Sequence, residues 1–431
     1  MIIAGNDTAN SSPMPWQTWK TSSPARKMVL LAASLLWCSF FVLVARSLDL
    51  NIPYLPLAIA GALAFYLRTW PPTRELCAWI VLSANFGFAV HFPHDNWIHF
   101  GSGILALFGL GAFLTLGLRW LWSGSSERRR TYALLAPAAS LVFFVLSAQR
   151  ALSLANLLYP KTYDLYLYLA DGSFGFQPSF LMGRAMAYSS VLRIAAQLTY
   201  VSLPFVMAVV YALRLPKQAE RPSWDMITLF LLAGLGGWAL YNIVPATGPA
   251  YVFGASFPWQ SLPDPALKRL FMEQIPVNGD IPRNAIPSLH MAWVLLLYWN
   301  GKHLSRSLQI FLSIYLALTV VSTLGTGEHY FVDLIAGIPF AFTVQAIVAP
   351  GVQRPFSRRV IAAISGLALT LFWLLLVRLG GKVLLASPIL PWGLLAATAA
   401  GVWKIMAWLE HAPNGTDIQP RPRAMAVGTS S

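Results

Sequence analysis

The hydrophobic residues of this chain are grouped into long runs, separated by short polar loops. Crossing the hydrocarbon core of a bilayer takes a helix of roughly 20 mostly apolar residues, and most of the runs approach that length. Twelve such runs lie at 28–46, 52–67, 76–92, 99–121, 131–149, 191–213, 226–244, 286–300, 307–325, 330–349, 360–379 and 384–409. The pattern predicts an all-α, polytopic integral membrane protein with about 12 transmembrane helices.

The composition agrees with the runs and excludes a soluble fold. Of the 431 residues, 57% are hydrophobic and only 11% are charged, whereas soluble domains are about 25% charged. The net charge of +14 would suit a nucleic-acid partner. However, lysine and arginine collect in alternate loops, as they do on the cytoplasmic side of membrane proteins. We therefore predict cytoplasmic N- and C-termini and no nucleic-acid partner.

Two histidines stand at the ends of apolar runs, where packing alone does not explain them. His290 opens the eighth run, and His329 lies between the ninth and the tenth. Asp333 follows His329 by four residues, so the two share a helix face, and a carboxylate there can fix the imidazole tautomer. The topology places both histidines on the outer face. Arg283 and the helix N-terminus at Pro287 favour an anion, so these groups together suggest a phosphate ester as substrate.

These residues resemble the signature motifs of the type 2 phosphatidic acid phosphatase superfamily. Pro287-Ser288-Leu289-His290 is similar to its second motif, and His329 to Asp333 is similar to its third. The Ser322-Thr323 pair before His329-Tyr-Phe-Val-Asp333 most resembles the inositol phosphorylceramide synthase-like branch. The resemblance implies that His329 is a nucleophile that forms a phosphohistidine, that Asp333 orients it and that His290 protonates the leaving group. Ser288 would help to hold the phosphate, and neither a metal nor a cofactor is required.

The chain departs from the family pattern at its cationic positions. Thr323 stands where the phosphatase branch has an arginine, and the first motif, Lys-x6-Arg-Pro, is missing. Lys217 to Pro222 imitates that motif but is too short and falls on the predicted cytoplasmic side. A phosphoryl group in transfer needs fixed donors around its oxygens. Arg283 is the best replacement and Arg150 is the next, so we predict both as phosphate ligands.

The resemblance covers about residues 131–349 and implies a six-helix core there. The predicted organisation is a cytoplasmic tail at 1–27, auxiliary transmembrane helices at 28–125, the catalytic core at 131–349, two further transmembrane helices at 360–409 and a cytoplasmic tail at 410–431. We expect the active site on the extracytoplasmic face of a membrane, the inner membrane if the source is bacterial. The partners are then membrane lipids and a lipid-linked phosphate substrate.

Alternative functions follow from the same residues. The acceptor can be a lipid hydroxyl, giving an inositolphosphotransferase-like enzyme, or water, giving a lipid phosphate or isoprenyl pyrophosphate phosphatase. Asp164 and Asp171 lie seven residues apart, and they can cap backbone groups or act as the acid–base pair of a glycosyltransferase. A transporter or lipid-binding scaffold is disfavoured because the runs are nearly free of charge. The cluster of His91, His94, Asp95 and His99 is predicted to be an interfacial loop rather than a metal site.

Overall fold

The computed structural model describes residues 23–47, 54–89, 97–215, 225–260, 273–279, 281–348 and 356–410. These residues form helices joined by short connections, with one pair of two-residue strands. The two terminal tails predicted from the sequence lie largely outside the described residues. The all-α class is therefore confirmed for the part of the chain that the structure describes.

The helices follow one another with few interruptions. In chain order they are α1 (Pro24–Ser47), α2 (Leu55–Ala60), α3 (Ala62–Leu67), α4 (Thr73–Ala89), α5 (Trp97–Trp122), α6 (Ser125–Leu158), α7 (Asp164–Gly172), α8 (Pro178–Tyr188), α9 (Ser190–Val201), α10 (Leu203–Arg214), α11 (Asp225–Tyr241), α12 (Pro249–Phe253), α13 (Leu289–Gly301), α14 (Arg306–Gly325), α15 (Phe331–Val348), α16 (Phe356–Leu384) and α17 (Ile389–Glu410). Strands β1 (Lys161–Thr162) and β2 (Ile275–Pro276) pair antiparallel.

Each of the twelve predicted apolar runs coincides with a helix or a pair of helices, but the count of 12 spans is not confirmed. Among the described residues, six helices are long and apolar enough to cross a membrane. A seventh span is counted if α9 and α10, which are bent by 59° at Ser202, are one broken crossing. Run 52–67 forms two six-residue helices, and α13 has 13 residues, about 20 Å at 1.5 Å per residue. The described residues therefore support six or seven crossings, and the remaining predicted spans stay a prediction.

The helices that hold the candidate site pack around α15. Helices α13, α14 and α15 follow one another in the chain, and α13 packs against both α14 and α15. Helix α11 packs against α13 and α15, and α9 packs against α14. Helix α16 packs closely along α15. The N-terminal pair α2 and α3 is packed between α5, α6 and α10, so helices outside the predicted core contact it directly.

Two long segments between apolar runs, 150–190 and 245–285, adopt ordered structure where they are described. Leucine and tyrosine alternate after residue 160, which is compatible with a strand, but α7 spans most of this stretch. In 245–285 the described residues form α12, a short 3-10 turn at Gly254–Ser256 and β2. The β1–β2 pairing joins the two segments.

Candidate active site

His329 lies in the turn between α14 and α15 and is almost completely buried. Its Nδ1 atom is 2.8 Å from the carbonyl oxygen of Ala285. Because a carbonyl can only accept, this contact assigns the proton to Nδ1 and leaves the lone pair on Nε2. Asp333 Oδ2 is 3.5 Å from the same Nδ1, so the Ala285 carbonyl is the nearer acceptor. The tautomer expected from Asp333 alone is thus supported by a main-chain group that the motifs do not reveal.

Asp333 connects the two motifs. Its Oδ2 accepts a hydrogen bond from the Tyr330 amide at 2.7 Å, while its Oδ1 is buried without a hydrogen-bond partner among the described residues. The main-chain carbonyl of Asp333 accepts from the Ser288 amide at 3.0 Å. The start of α15 therefore fixes the start of α13, which brings the second motif beside the third.

His290 occupies the first turn of α13 and faces His329. The centroids of the two imidazole rings are 5.9 Å apart. Tyr200 of α9 stacks on the His290 ring at 4.1 Å between centroids, and the Tyr54 hydroxyl lies 3.2 Å from His290 Nε2. Sequence reasoning missed both tyrosines, because tyrosine is common at membrane interfaces and neither residue belongs to a motif.

Ser288 is fully buried and is the N-cap residue of α13. Its Oγ atom accepts from the Met291 amide at 3.4 Å. Helix N-termini leave amide groups available to an anion, and His290 lies in that same first turn. The structure therefore places Ser288 beside His290, and its role in holding the phosphate stays a prediction.

Asp164 and Asp171 are both buried and accept hydrogen bonds from backbone amides. Asp164 accepts from the Thr247 and Gly248 amides at 2.8–3.1 Å and from the Tyr330 hydroxyl at 3.2 Å. Asp171 accepts from Phe331 and Val332 at 2.8 and 3.0 Å, at the start of α15. The capping interpretation is thus confirmed.

Burial raises the pKa of Asp164, and it raises the pKa of Asp171 well above its usual value. In each case the backbone amides that donate to the carboxylate oppose the shift. Because these oxygens hold the loop before α12 and the first turn of α15, the geometry does not favour an acid–base pair.

Arg283 is 2% exposed and donates to three main-chain carbonyls. These belong to Tyr159 at 3.1 Å, Ile281 at 2.6 Å and Val277 at 2.7 Å. Burial lowers the pKa of Arg283, and the charge of Asp164 opposes that effect. Arg283 thus braces the segment that ends at the Ala285 carbonyl. Arg150 lies in α6, but its side chain is outside the described residues, and phosphate binding by either arginine stays a prediction.

The segment Tyr241 to Tyr251, which stands where the missing first motif is expected, contacts the two residues before His329. The Ala250 amide donates to the Gly327 carbonyl at 2.9 Å. The Tyr251 hydroxyl donates to the Glu328 carboxylate at 2.9 and 3.0 Å. Glu328 precedes His329 in the chain, so a carboxylate with a tyrosine partner lies next to His329. Sequence reasoning did not single out this pair.

The protonation state of His329 follows from its surroundings. Burial lowers its pKa to about 4, because the imidazolium is poorly solvated there, while the charge of Glu328 and the Ala285 hydrogen bond act in the opposite direction. Burial raises the pKa of Glu328. At neutral pH His329 is therefore an uncharged imidazole, which is the form that can attack phosphorus.

Within the described residues, no group of three or more His, Cys, Asp or Glu side chains is arranged to hold a metal ion. His91, His94 and Asp95 lie outside those residues, and so does the side chain of His99.

One comparison with known protein families gives a match that covers the candidate site. Residues 165–347, which are less than half of the chain, match the sequence model of the PAP2 superfamily. This segment contains His290, His329 and Asp333, so the resemblance to the superfamily is confirmed over it, whereas the match gives no evidence for the inositol phosphorylceramide synthase-like branch. Members of the superfamily are phosphatases or phosphotransferases. No significant match was found among curated proteins or among solved structures.

Proposed function

We propose that the protein is a membrane lipid phosphotransferase or phosphatase that acts on a lipid-linked phosphate ester through a phosphohistidine on His329. The observation that carries this proposal is the contact between Nδ1 of His329 and the Ala285 carbonyl at 2.8 Å. It leaves Nε2 unprotonated and nucleophilic beside a second histidine at a centroid distance of 5.9 Å. The superfamily match over the same segment supports the reaction class.

The reaction proceeds in two steps. In the first, Nε2 of His329 attacks phosphorus and the bond from phosphorus to the leaving oxygen breaks. That oxygen receives a proton that comes from His290. In the second, the hydroxyl group of the acceptor attacks the phosphorus of the phosphohistidine and the phosphorus–nitrogen bond breaks. The proton of that hydroxyl returns to His290. The group that donates a proton in the first step must therefore accept one in the second. Water as acceptor gives a phosphatase, and a lipid hydroxyl gives the inositolphosphotransferase-like activity that the motif sequence favours.

Several donors are proposed to hold the phosphate. The amides at the start of α13 and the Ser288 hydroxyl lie in the turn that carries His290. Arg283 and Arg150 are proposed as the cationic ligands that replace those of the missing first motif. Asp333 is proposed to stabilise His329 when its ring becomes cationic in the phosphorylated state, since Oδ2 is 3.5 Å from Nδ1. The site is proposed to face the extracytoplasmic side.

Turnover by the purified protein tests the proposal. The protein in detergent, with a metal chelator present, is given phosphatidic acid, an isoprenyl pyrophosphate, or phosphatidylinositol with ceramide. His329→Ala is compared with His303→Ala, since His303 is an exposed histidine in the loop after α13. Release of phosphate or formation of a new phospholipid that only His329→Ala abolishes supports the proposal and selects the acceptor. Turnover that survives His329→Ala refutes it.

A further inference from the structure

Tyr54 reaches the candidate site from outside the segment that matches the superfamily. It directly precedes α2, more than one hundred residues before residue 165. Its hydroxyl lies 3.2 Å from His290 Nε2, and its ring centroid is 5.7 Å from that of His290 and 5.8 Å from that of Tyr200. His290 Nε2 therefore faces a hydroxyl group that the N-terminal helices supply.

The backbone of Tyr54 is held in an uncommon conformation. Its φ of 70° and ψ of −20° are in the left-handed region, which a bulky residue other than glycine rarely adopts. Such a conformation is strained and persists only where the surroundings impose it, often at functional sites. Leu55, the next residue, is fully buried, and α2 packs on α5, α6 and α10. The packing that holds α2 thus aims Tyr54 at His290.

We propose that Tyr54 is a catalytic residue that relays the proton between His290 and the substrate oxygen; this inference rests on the proposed function. In the first step, the leaving oxygen takes the proton of the Tyr54 hydroxyl as its bond to phosphorus breaks, and the Tyr54 oxygen takes the proton from Nε2 of protonated His290. In the second step, the acceptor hydroxyl gives its proton to the Tyr54 oxygen, and Tyr54 gives its own to His290. Tyr54 is neutral before and after each step.

The relay explains why the hydroxyl is placed at Nε2. If Nε2 delivered its proton directly, the leaving oxygen would have to occupy the position that the Tyr54 hydroxyl holds. The ring contacts with Tyr200 and His290 keep the three aromatic rings in one group. The N-terminal helices then contribute to the chemistry itself.

Tyr54→Phe tests the relay because it removes the hydroxyl and keeps the ring. Two phosphate esters are compared, short-chain phosphatidic acid and p-nitrophenyl phosphate, whose leaving group is stable as an anion and needs no proton. General acid catalysis contributes about 10²–10⁴-fold, so we expect a loss of at least about 10²-fold on the alkyl ester and a far smaller loss on the nitrophenyl ester. Tyr66→Phe is the matched control, since Tyr66 is a buried tyrosine on α3 that packs on Trp79.

Equal losses on both esters, or none on either, would overturn the relay while leaving the role of His329 intact. Activity that survives His329→Ala would instead refute the proposed function. A readout without substrate is the ¹⁵N resonance of His290 Nε2 in histidine-labelled protein. We expect Tyr54→Phe to shift it and Tyr66→Phe to leave it unchanged, and an unshifted resonance in Tyr54→Phe would overturn the contact on which the relay depends.

Discussion

Gly248 lies against Gly327 and Glu328, the two residues before His329, and an added side chain there should displace His329, the proposed nucleophile. Its φ is +114°, a region that L side chains rarely adopt. A Cβ atom would lie 2.7 Å from the Gly327 carbonyl oxygen and would collide with that of Glu328. Ordinary contact begins at 3.4 Å, so the Gly327 carbonyl must move by about 0.7 Å and the closer Glu328 carbonyl by more than that.

The expected effect of Gly248→Ala has two parts. Backbone strain costs about 1–3 kcal/mol, and overpacking costs about 1–3 kcal/mol, so the unfolding free energy falls by about 2–6 kcal/mol. Misplacement of a reacting group by about 1 Å costs on the order of 10²-fold in rate. We therefore expect a turnover near one hundredth of wild type in the protein that remains folded.

Gly175→Ala is the matched control for this prediction. Gly175 also has a positive φ of 94°, but a Cβ atom there meets nothing within 4 Å. We expect it to lose only the strain energy and to keep its turnover. Thermal unfolding in detergent and donor turnover are measured for both variants. Wild-type turnover in Gly248→Ala, or an equal loss in Gly175→Ala, would refute the steric argument.

Three further predictions use the contacts around the site. Glu328→Gln removes a negative charge that raises the pKa of His329. The acid limb of the pH profile of kcat/KM, which is set by the loss of neutral His329, should therefore move to lower pH. A shift of that limb to higher pH would contradict this prediction. Asp171→Ala leaves two amides of α15 without acceptors, and each buried unpaired group costs about 1–3 kcal/mol. We therefore expect a clearly lower unfolding midpoint, and a smaller decrease for Asp171→Asn. An unchanged midpoint would argue against Asp171 as the cap of α15. Arg283→Lys keeps the charge but loses the fork that serves three carbonyls, so we expect stability to fall by about 2–4 kcal/mol. Wild-type stability with a raised KM would show instead that the guanidinium acts chiefly on the phosphate.

The positions of the helices could be predicted from the sequence, because apolar runs in a membrane protein reflect burial in lipid or protein. Run 330–349 became α15 almost residue for residue. In run 52–67 the helical stretch is Leu55–Leu67, 13 residues or about 20 Å at 1.5 Å per residue, which is shorter than a bilayer crossing, and it is packed between α5, α6 and α10. Hydropathy reports that a residue avoids water, but it does not distinguish lipid from the packed interior of the bundle.

The candidate triad could also be predicted, since His290, His329 and Asp333 stand in motifs with fixed spacing and share one end of the bundle. The groups that set their chemistry could not. The carbonyl of Ala285 has no sequence signature, since every residue carries the same group. Tyr54 comes from a distant part of the chain, and only tertiary packing brings it to His290. The charge of Arg283 predicts a phosphate ligand, whereas its burial and its three carbonyl partners depend on the fold of the loop and have no signal in the sequence.

The central claim is the covalent intermediate on His329. The protein is mixed with the donor that it turns over, quenched in alkali, where phosphohistidine survives, and digested for mass spectrometry. We predict that the peptide containing His329 carries the transferred phosphoryl group, that the adduct disappears when acceptor is added, and that His303→Ala retains it. Turnover by the wild-type protein without any adduct on His329 would contradict the account.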